Sequence, residues 1–139
     1  MKKFFISLAA FLLTTSIFSS CSNDDDPQPN NNALISSGAW VVHLFTDSGN
    51  DETSDYSGYE FVFASNGNMT ATKAGVVTSG TWGTRTDDGK NKMDINLNTT
   101  NADLLELNDD WIVKSITASL IELQDDNTAS GEVLHFMKK

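Results

Sequence analysis

The chain has 139 residues, of which 39% are hydrophobic, a share that predicts one packed domain rather than a disordered chain. The chain has nine basic and 19 acidic residues, and its formal net charge is −10. This balance excludes nucleic-acid binding through phosphate contacts and predicts repulsion from anionic membrane surfaces. A single cysteine excludes an internal disulfide, so the domain must be held together by its core.

Residues 1–20 have the pattern of a signal peptide. Lys2 and Lys3 give a positive start, and the apolar run over 4–13 is interrupted only by Ser7. Such a run is too short for a membrane helix, which needs roughly 20 residues, but suits a secretory signal. Cleavage before Cys21 leaves seven basic and 19 acidic residues, a formal charge of −12.

The signal ends in Phe18-Ser19-Ser20-Cys21, which resembles the lipobox of bacterial lipoprotein precursors. The resemblance implies that the Cys21 thiol takes a diacylglyceryl group, that a peptidase cuts before it, and that the new amine is acylated. Palmitate-like chains would then anchor the protein in the outer membrane, because two or more chains hold firmly where one is marginal. The alternative is an ordinary secretory signal with an incidental cysteine.

Residues 24–32 predict a disordered linker, since they hold three aspartates, both prolines and three asparagines but no apolar residue. The aspartates directly after Cys21 resemble the export signal of surface-displayed lipoproteins, which favours the outer face of the outer membrane. A solvated tether is the alternative. The predicted organisation is a signal peptide over 1–20, the lipidated cysteine and acidic linker over 21–33, and a β domain over 34–139.

The sequence pattern of the domain predicts about eight short strands separated by turn residues. The predicted strands are 40–45, 59–64, 68–74, 80–84, 92–98, 111–119, 120–124 and 132–137, with one helical turn over 102–107. Asn66-Gly67 is a strong hairpin signal, and residues 92–98 alternate with a period of two. Strands at this spacing favour an all-β fold, either an antiparallel up-and-down barrel or a β-sandwich.

Several segments resemble bacterial lipocalin-like lipoprotein domains. These are Gly38-Ala39-Trp40, the aromatic strand 59–63, the turn Asn66-Gly67, Gly80-Thr81-Trp82 and the segment 109–113. The resemblance implies a lipocalin-like barrel in which Trp40 plugs one end. The residues expected to hold a small apolar or amphipathic ligand are Trp40, Tyr59, Phe61, Phe63, Trp82 and Trp111. The alternative is that these side chains simply fill the barrel, which at eight strands is just wide enough for either.

The sequence offers little for catalysis. His43 and His135 lie among apolar strand residues, no Gly-x-Ser-x-Gly elbow is present, and no cofactor motif is found. The loop that carries Asp47, Asp51, Glu52 and Asp55 offers oxygen ligands of the kind calcium prefers, although a solvated loop is the ordinary interpretation.

The functional hypothesis is therefore a non-catalytic binding module on a lipid anchor, with the membrane as its first partner. The alternative is a structural or interaction lipoprotein whose filled barrel contacts a protein or glycan. An enzyme is the third possibility, and no motif supports it.

Overall fold

A computed structural model describes residues 31–139. The strands are β1 (Ala39–Asp47), β2 (Asn50–Asp51), β3 (Glu60–Phe63), β4 (Asn68–Lys73), β5 (Val76–Asp87), β6 (Lys90–Leu97), β7 (Asp109–Ile116), β8 (Leu120–Gln124) and β9 (Val133–Lys138). The helices are α1 (Asn31–Ile35), a 3-10 turn (Thr53–Tyr56) and α2 (Ala102–Glu106). Among these residues no helix is long and apolar enough to cross a bilayer.

Eight of the strands form a closed antiparallel barrel. From β3 onward each strand pairs with the next in sequence, and β9 returns to pair with β1 over Trp40 to Thr46. The short β2 only extends β1 beyond the barrel wall. This up-and-down closure confirms the predicted barrel and rules out the sandwich. A closed barrel leaves no long unpaired edge, which protects a β protein from edge-to-edge association.

The alternation of apolar and polar residues decides which side chains of a strand point into the barrel. Met93, Ile95 and Leu97 of β6 are buried, as their period of two predicts. The β3–β4 turn has Gly67 at φ +86°, a conformation that glycine adopts without a steric penalty. The short β3 and β4 are thereby placed in register, with Phe63 opposite Met69.

The barrel interior is packed with aromatic and aliphatic side chains. Phe136 contacts Phe61 and Phe63 edge-on, with ring centroids 5.2 and 5.4 Å apart. Phe63 also meets Trp82 at 5.6 Å. Such edge-to-face pairs add to the free energy gained by burying the rings. The core therefore supplies the stability that a chain without disulfides needs.

The barrel has two ends that differ in sequence. The entry end holds α1, the turns at 64–67, 88–89 and 117–119, and the C-terminus. The opposite end holds the connections at 48–59, 74–75, 98–108 and 125–132. We call it the acidic end because ten carboxylates lie there, at Asp47, Asp51, Glu52, Asp55, Asp103, Glu106, Asp109, Asp125, Asp126 and Glu132.

Two local predictions need correction. The predicted linker extends too far, because residues 31–33 belong to α1, where Ile35 is fully buried and holds the helix against the core. The strand predicted over 80–84 is longer, since β5 runs from Val76 to Asp87 and pairs with β4 as well as β6. The signal peptide, Cys21 and the rest of the linker lie outside the described residues.

Candidate ligand-binding site

A pocket of about 300 Å³ opens at the entry end, between the β5–β6 hairpin, β7 and α1. Its lining residues are Asn31, Thr84, Arg85, Thr86, Asn91, Lys92, Val113 and Ile116. The hairpin reaches past the last β6–β7 pair, Lys92 with Ile112, so its inner side is left open. The pocket exists because the β5–β6 hairpin extends beyond the segment of β6 that pairs with β7.

The lining divides into a polar side and an apolar side. Thr84 donates from Oγ1 to the Asn32 side chain at 2.7 Å, which ties α1 to the pocket rim. Thr86 and Asn91 are paired across the hairpin at 3.1 Å. Val113 and Ile116, which pack against the barrel core, supply the apolar side. Hydroxyl and carboxamide groups beside aliphatic carbon suit a small ligand with one polar and one apolar part.

The cationic side chains at the pocket rim are already occupied by carboxylates. Lys92, only 6% exposed, contacts Asp110 at 2.6 Å and Asp126 at 3.0 Å. Arg85 contacts Asp94 at 3.0 Å and Asp110 at 2.8 Å. These hydrogen bonds raise the pKa of Lys92 and lower the pKa of Asp110 and Asp126. A ligand in this pocket therefore meets a neutral surface rather than a free positive charge.

A second, shallower recess of about 260 Å³ lies between β6 and the start of β7. It is lined by Asp94, Ile95, Asn96, Asn108, Asp109 and Asp110. The Asn108 side chain there accepts from Leu97 N at 2.6 Å and donates to Leu97 O at 3.0 Å. Asn108 thus joins α2 to β6, and its polar atoms are used in holding the fold together.

The six aromatic residues predicted as ligand contacts belong to the core. Trp40, Phe61, Phe63, Trp82 and Trp111 are buried, and Tyr59 packs against them partly exposed. The Trp40 indole donates to Ile35 O at 2.8 Å, and the Trp82 indole donates to Ala64 O at 2.8 Å. None of the six lines either pocket. Their role in ligand binding stays a prediction, and their packing role is established.

The acidic loop predicted to bind a cation is held by local hydrogen bonds. Asp51 accepts from Thr53 N at 3.0 Å, which lowers its pKa, and Asp47 accepts from Ser48 at 2.9 Å. Glu52 directly precedes the 3-10 turn, and Asp55 lies within it. Within residues 31–139 these four carboxylates do not form a cluster at metal-binding distance. Calcium binding by this loop stays a prediction.

A different group of carboxylates does converge at the acidic end. Oxygens of Asp109, Asp125 and Glu132 lie within 4.8 Å of one another. Burial is the largest cause that raises the pKa of Asp109 and Glu132, and neighbouring carboxylates add to it. Asp125 already accepts from Ser130 Oγ at 2.6 Å and from Asn127 N at 3.1 Å, which keeps its pKa low. The β8–β9 loop is thereby fixed by its own side chains.

The two histidines lie on neighbouring strands, away from the pocket. His43 is exposed at an irregularity in β1, and His135 is half-buried on β9 opposite Leu44. Neither contributes to the pocket lining.

The pocket residues were missed at the sequence level. Thr84, Asn91 and Ile116 come from three different strands and follow no local pattern. One available signal was the polar segment 83–92 around the turn Asp87-Asp88-Gly89, which marks a hairpin whose tip has no apolar side chain to bury.

No protein-family model and no curated protein matches the chain. Among solved structures, it is similar to a DUF4847 family protein from Bacteroides vulgatus, with 16% identity, a TM-score of 0.56, and coverage of 78% of this chain and 96% of that one. It is also similar to a lipocalin-like protein from Bacteroides uniformis, with 17% identity, a TM-score of 0.50, and coverage of 76% and 99%. At these identities the likeness concerns the fold, which is a lipocalin-like eight-stranded barrel.

Proposed function

We propose that this protein is a lipid-anchored lipoprotein of the bacterial outer membrane that binds a small amphipathic ligand without transforming it. The single observation that carries the binding role is the pocket at the entry end, with its polar side at Thr84, Thr86 and Asn91 and its apolar side at Val113 and Ile116. The anchor rests on the lipobox-like sequence ending in Cys21.

The pocket volume limits the ligand. At about 300 Å³ the pocket is at the lower end of the usual range for small-molecule sites, roughly 300–1,000 Å³. A packed interior leaves the apolar part of a ligand only the short reach to Val113 and Ile116. We therefore expect a compact molecule with a hydroxyl, amide or similar neutral polar group, rather than a long lipid chain.

Native mass spectrometry of the full-length protein, extracted gently from its host membrane, tests both parts. An acyl mass on Cys21 that disappears in Cys21→Ser supports the anchor. A reproducible additional mass that is lost on denaturation supports the ligand and gives its mass.

A matched pair of variants tests whether that ligand binds in the pocket. Asn91→Trp fills the pocket from its rim, whereas Asn98→Trp puts the same bulk at the exposed far end of β6. We expect Asn91→Trp to lose the bound mass and Asn98→Trp to keep it. Equal occupancy in both variants would contradict binding in this pocket.

The interaction lipoprotein remains the second candidate, since the aromatic core is packed as a filled barrel would be. A bare polypeptide mass in the wild-type protein, together with an unchanged mass across a metabolite panel, would favour it. The search would then move to protein or glycan partners of the exposed loops.

A further inference from the structure

We propose that the entry end of the barrel, with its pocket, faces the membrane and that the acidic end points away from it. This inference rests on the lipid anchor of the proposed function. It goes further because it assigns an orientation to the domain and a direction to the pocket, which the anchor alone does not fix.

The covalent path of the chain places the entry end near the anchor. Asn31 lies ten positions after Cys21, and a chain of that length spans at most about 35 Å. Asn31 itself lines the pocket, and the next residue, Asn32, is hydrogen-bonded to Thr84 on β5. Ile35 is fully buried, so α1 is part of the barrel rather than of the tether. The tether is therefore attached directly at the pocket rim.

The charge of the domain is distributed unevenly between the two ends. The ten carboxylates of the acidic end come from three connections, 48–59, 98–108 and 125–132, and from the adjoining ends of β1 and β7, and Lys73 is the only basic residue described there. They are close enough to act on one another, since burial raises the pKa of Glu106 and the charges of Glu52, Asp103 and Asp47 raise it further. One end of the barrel thus carries most of the negative charge.

The entry end is close to neutral. The β5–β6 hairpin carries Arg85, Lys90 and Lys92 beside Asp87 and Asp88, and these cations contact Asp87, Asp110 and Asp126. Lys114 is exposed near the end of β7, and Lys138 lies over the Trp40 ring at 4.9 Å. This end can approach a negatively charged surface without the repulsion that the net charge of the chain predicts.

The barrel is long enough for the difference in charge between its two ends to influence how the domain is oriented on a membrane. β6 has eight residues, about 26 Å of strand, and barrel strands tilt by roughly 40°, so the two ends of β6 lie about 20 Å apart along the barrel. Among the described residues the ends come together only beside the β5–β6 hairpin, where Asp126 contacts Lys90 and Lys92 and its charge is offset. At 0.1 M salt a charge is screened over about 10 Å. An anionic lipid surface therefore repels the acidic end when that end is turned toward it and hardly affects it when it points away. The tether and the electrostatics favour the same orientation.

In this orientation the pocket lies close to the membrane surface. Its opening faces the layer between the domain and the lipid headgroups, so an amphipathic molecule leaving the bilayer surface meets the pocket before it meets any other part of the barrel. The acidic end remains turned to the aqueous side.

Fluorescence energy transfer in vesicles tests the orientation. Acylation uses the Cys21 thiol, so a single new cysteine can be labelled selectively. Ser119→Cys lies in the β7–β8 turn of the entry end, and Ser54→Cys lies in the 3-10 turn of the acidic end; both serines are exposed. Each labelled full-length protein, with its acyl mass confirmed, is reconstituted into phosphatidylcholine vesicles with 30% phosphatidylglycerol and an acceptor on a headgroup.

We expect clearly higher transfer from the label at 119 than from the label at 54, with a larger difference at 0.1 M than at 1 M salt. Equal or reversed efficiencies in acylated protein would overturn the orientation and leave the anchor standing. A difference that does not respond to salt would overturn the electrostatic part. Failure to obtain any acylated protein would overturn the proposed anchor itself, and the orientation with it.

Discussion

The two ends of the barrel are closed in the same way but carry different surfaces. At the entry end the Trp40 indole donates to Ile35 O, the last residue of α1, at 2.8 Å. At the acidic end the Trp111 indole donates to Leu107 O, just after α2, at 3.0 Å. Each tryptophan fills the barrel and holds the short helix that covers it. Stability at both ends is thus built alike, and the side chains around each closure decide its function.

Carboxylates that contact a cation and carboxylates that are partly buried beside other carboxylates respond to their surroundings in opposite directions. In the network around Lys92, cationic partners lower the pKa of Asp110 and Asp126. At the acidic end, burial and like charges raise the pKa of Glu106, Asp109 and Glu132. The network near the pocket therefore stabilises the fold at neutral pH, whereas Glu106, Asp109 and Glu132 reduce its stability. A protein keeps such a cost only where charge at that surface is useful or tolerated.

Removing either closing tryptophan gives the largest expected loss. Trp40→Ala and Trp111→Ala each leave a large cavity, and we expect the free energy of unfolding in urea to fall by about 3–5 kcal/mol. If one variant does not fold, Trp→Phe at the same site keeps most of the volume and removes the indole hydrogen bond, at a cost of about 1–2 kcal/mol. A loss confined to one end would contradict the equivalence of the two closures.

A pair of glycines on β5 tests how tightly the barrel is packed along its length. A Cβ on Gly80 would lie 2.3 Å from Asn96 O and 2.8 Å from Leu97 Cα, both backbone atoms of β6. Gly83, closer to the pocket, has open space at the same position. We expect Gly80→Ala to lower the free energy of unfolding by about 1–3 kcal/mol and Gly83→Ala to change it by less than about 0.5 kcal/mol. Similar urea midpoints in both variants would show that β5 adjusts freely.

The parts of the fold that were predictable are those with a local signal. The alternation in β6 and the Asn66-Gly67 turn each fixed a register within a few residues, and both were confirmed. α1 escaped prediction because five residues are too few to show a helical period; its stability comes from the burial of Ile35 and the bond from Trp40. The pocket could not be predicted because it depends on how far the β5–β6 hairpin extends beyond β7, which is a property of the assembled sheet.

Replacing Glu106 tests whether a carboxylate with a raised pKa lowers the stability of the fold at neutral pH. The raised pKa of Glu106 means that its contribution to stability is complete below its ordinary value of 4.5 and is lost as pH rises through the folded value. Glu106→Gln removes that loss while keeping an acceptor for the Tyr56 hydroxyl, 3.3 Å away. We expect the variant to gain a few tenths of a kcal/mol at pH 7, a small effect because the carboxyl is mostly in solvent.

Urea denaturation of the wild-type protein and Glu106→Gln at pH 3.5 and pH 7 checks the sign. The two proteins should be equally stable at the lower pH and should diverge at the higher one. Asp126→Asn is the matched control at the other kind of site, because its lowered pKa means a contribution that is present at pH 7 and lost on acidification. It should therefore lose stability at pH 7, opposite to Glu106→Gln.

A further small effect is expected at the residue after α1. The Ser36 hydroxyl is buried and has no hydrogen-bond partner among the described residues. Burying such a group without a partner costs free energy, so Ser36→Ala should leave stability unchanged or raise it by about 0.5–1 kcal/mol. Ser37→Ala is the control, since its hydroxyl donates to Leu34 O at 2.6 Å and its removal should lower stability. A loss in Ser36→Ala of the same size would mean that this hydroxyl is bonded in the full-length chain, and hence that the entry end is completed by residues before 31.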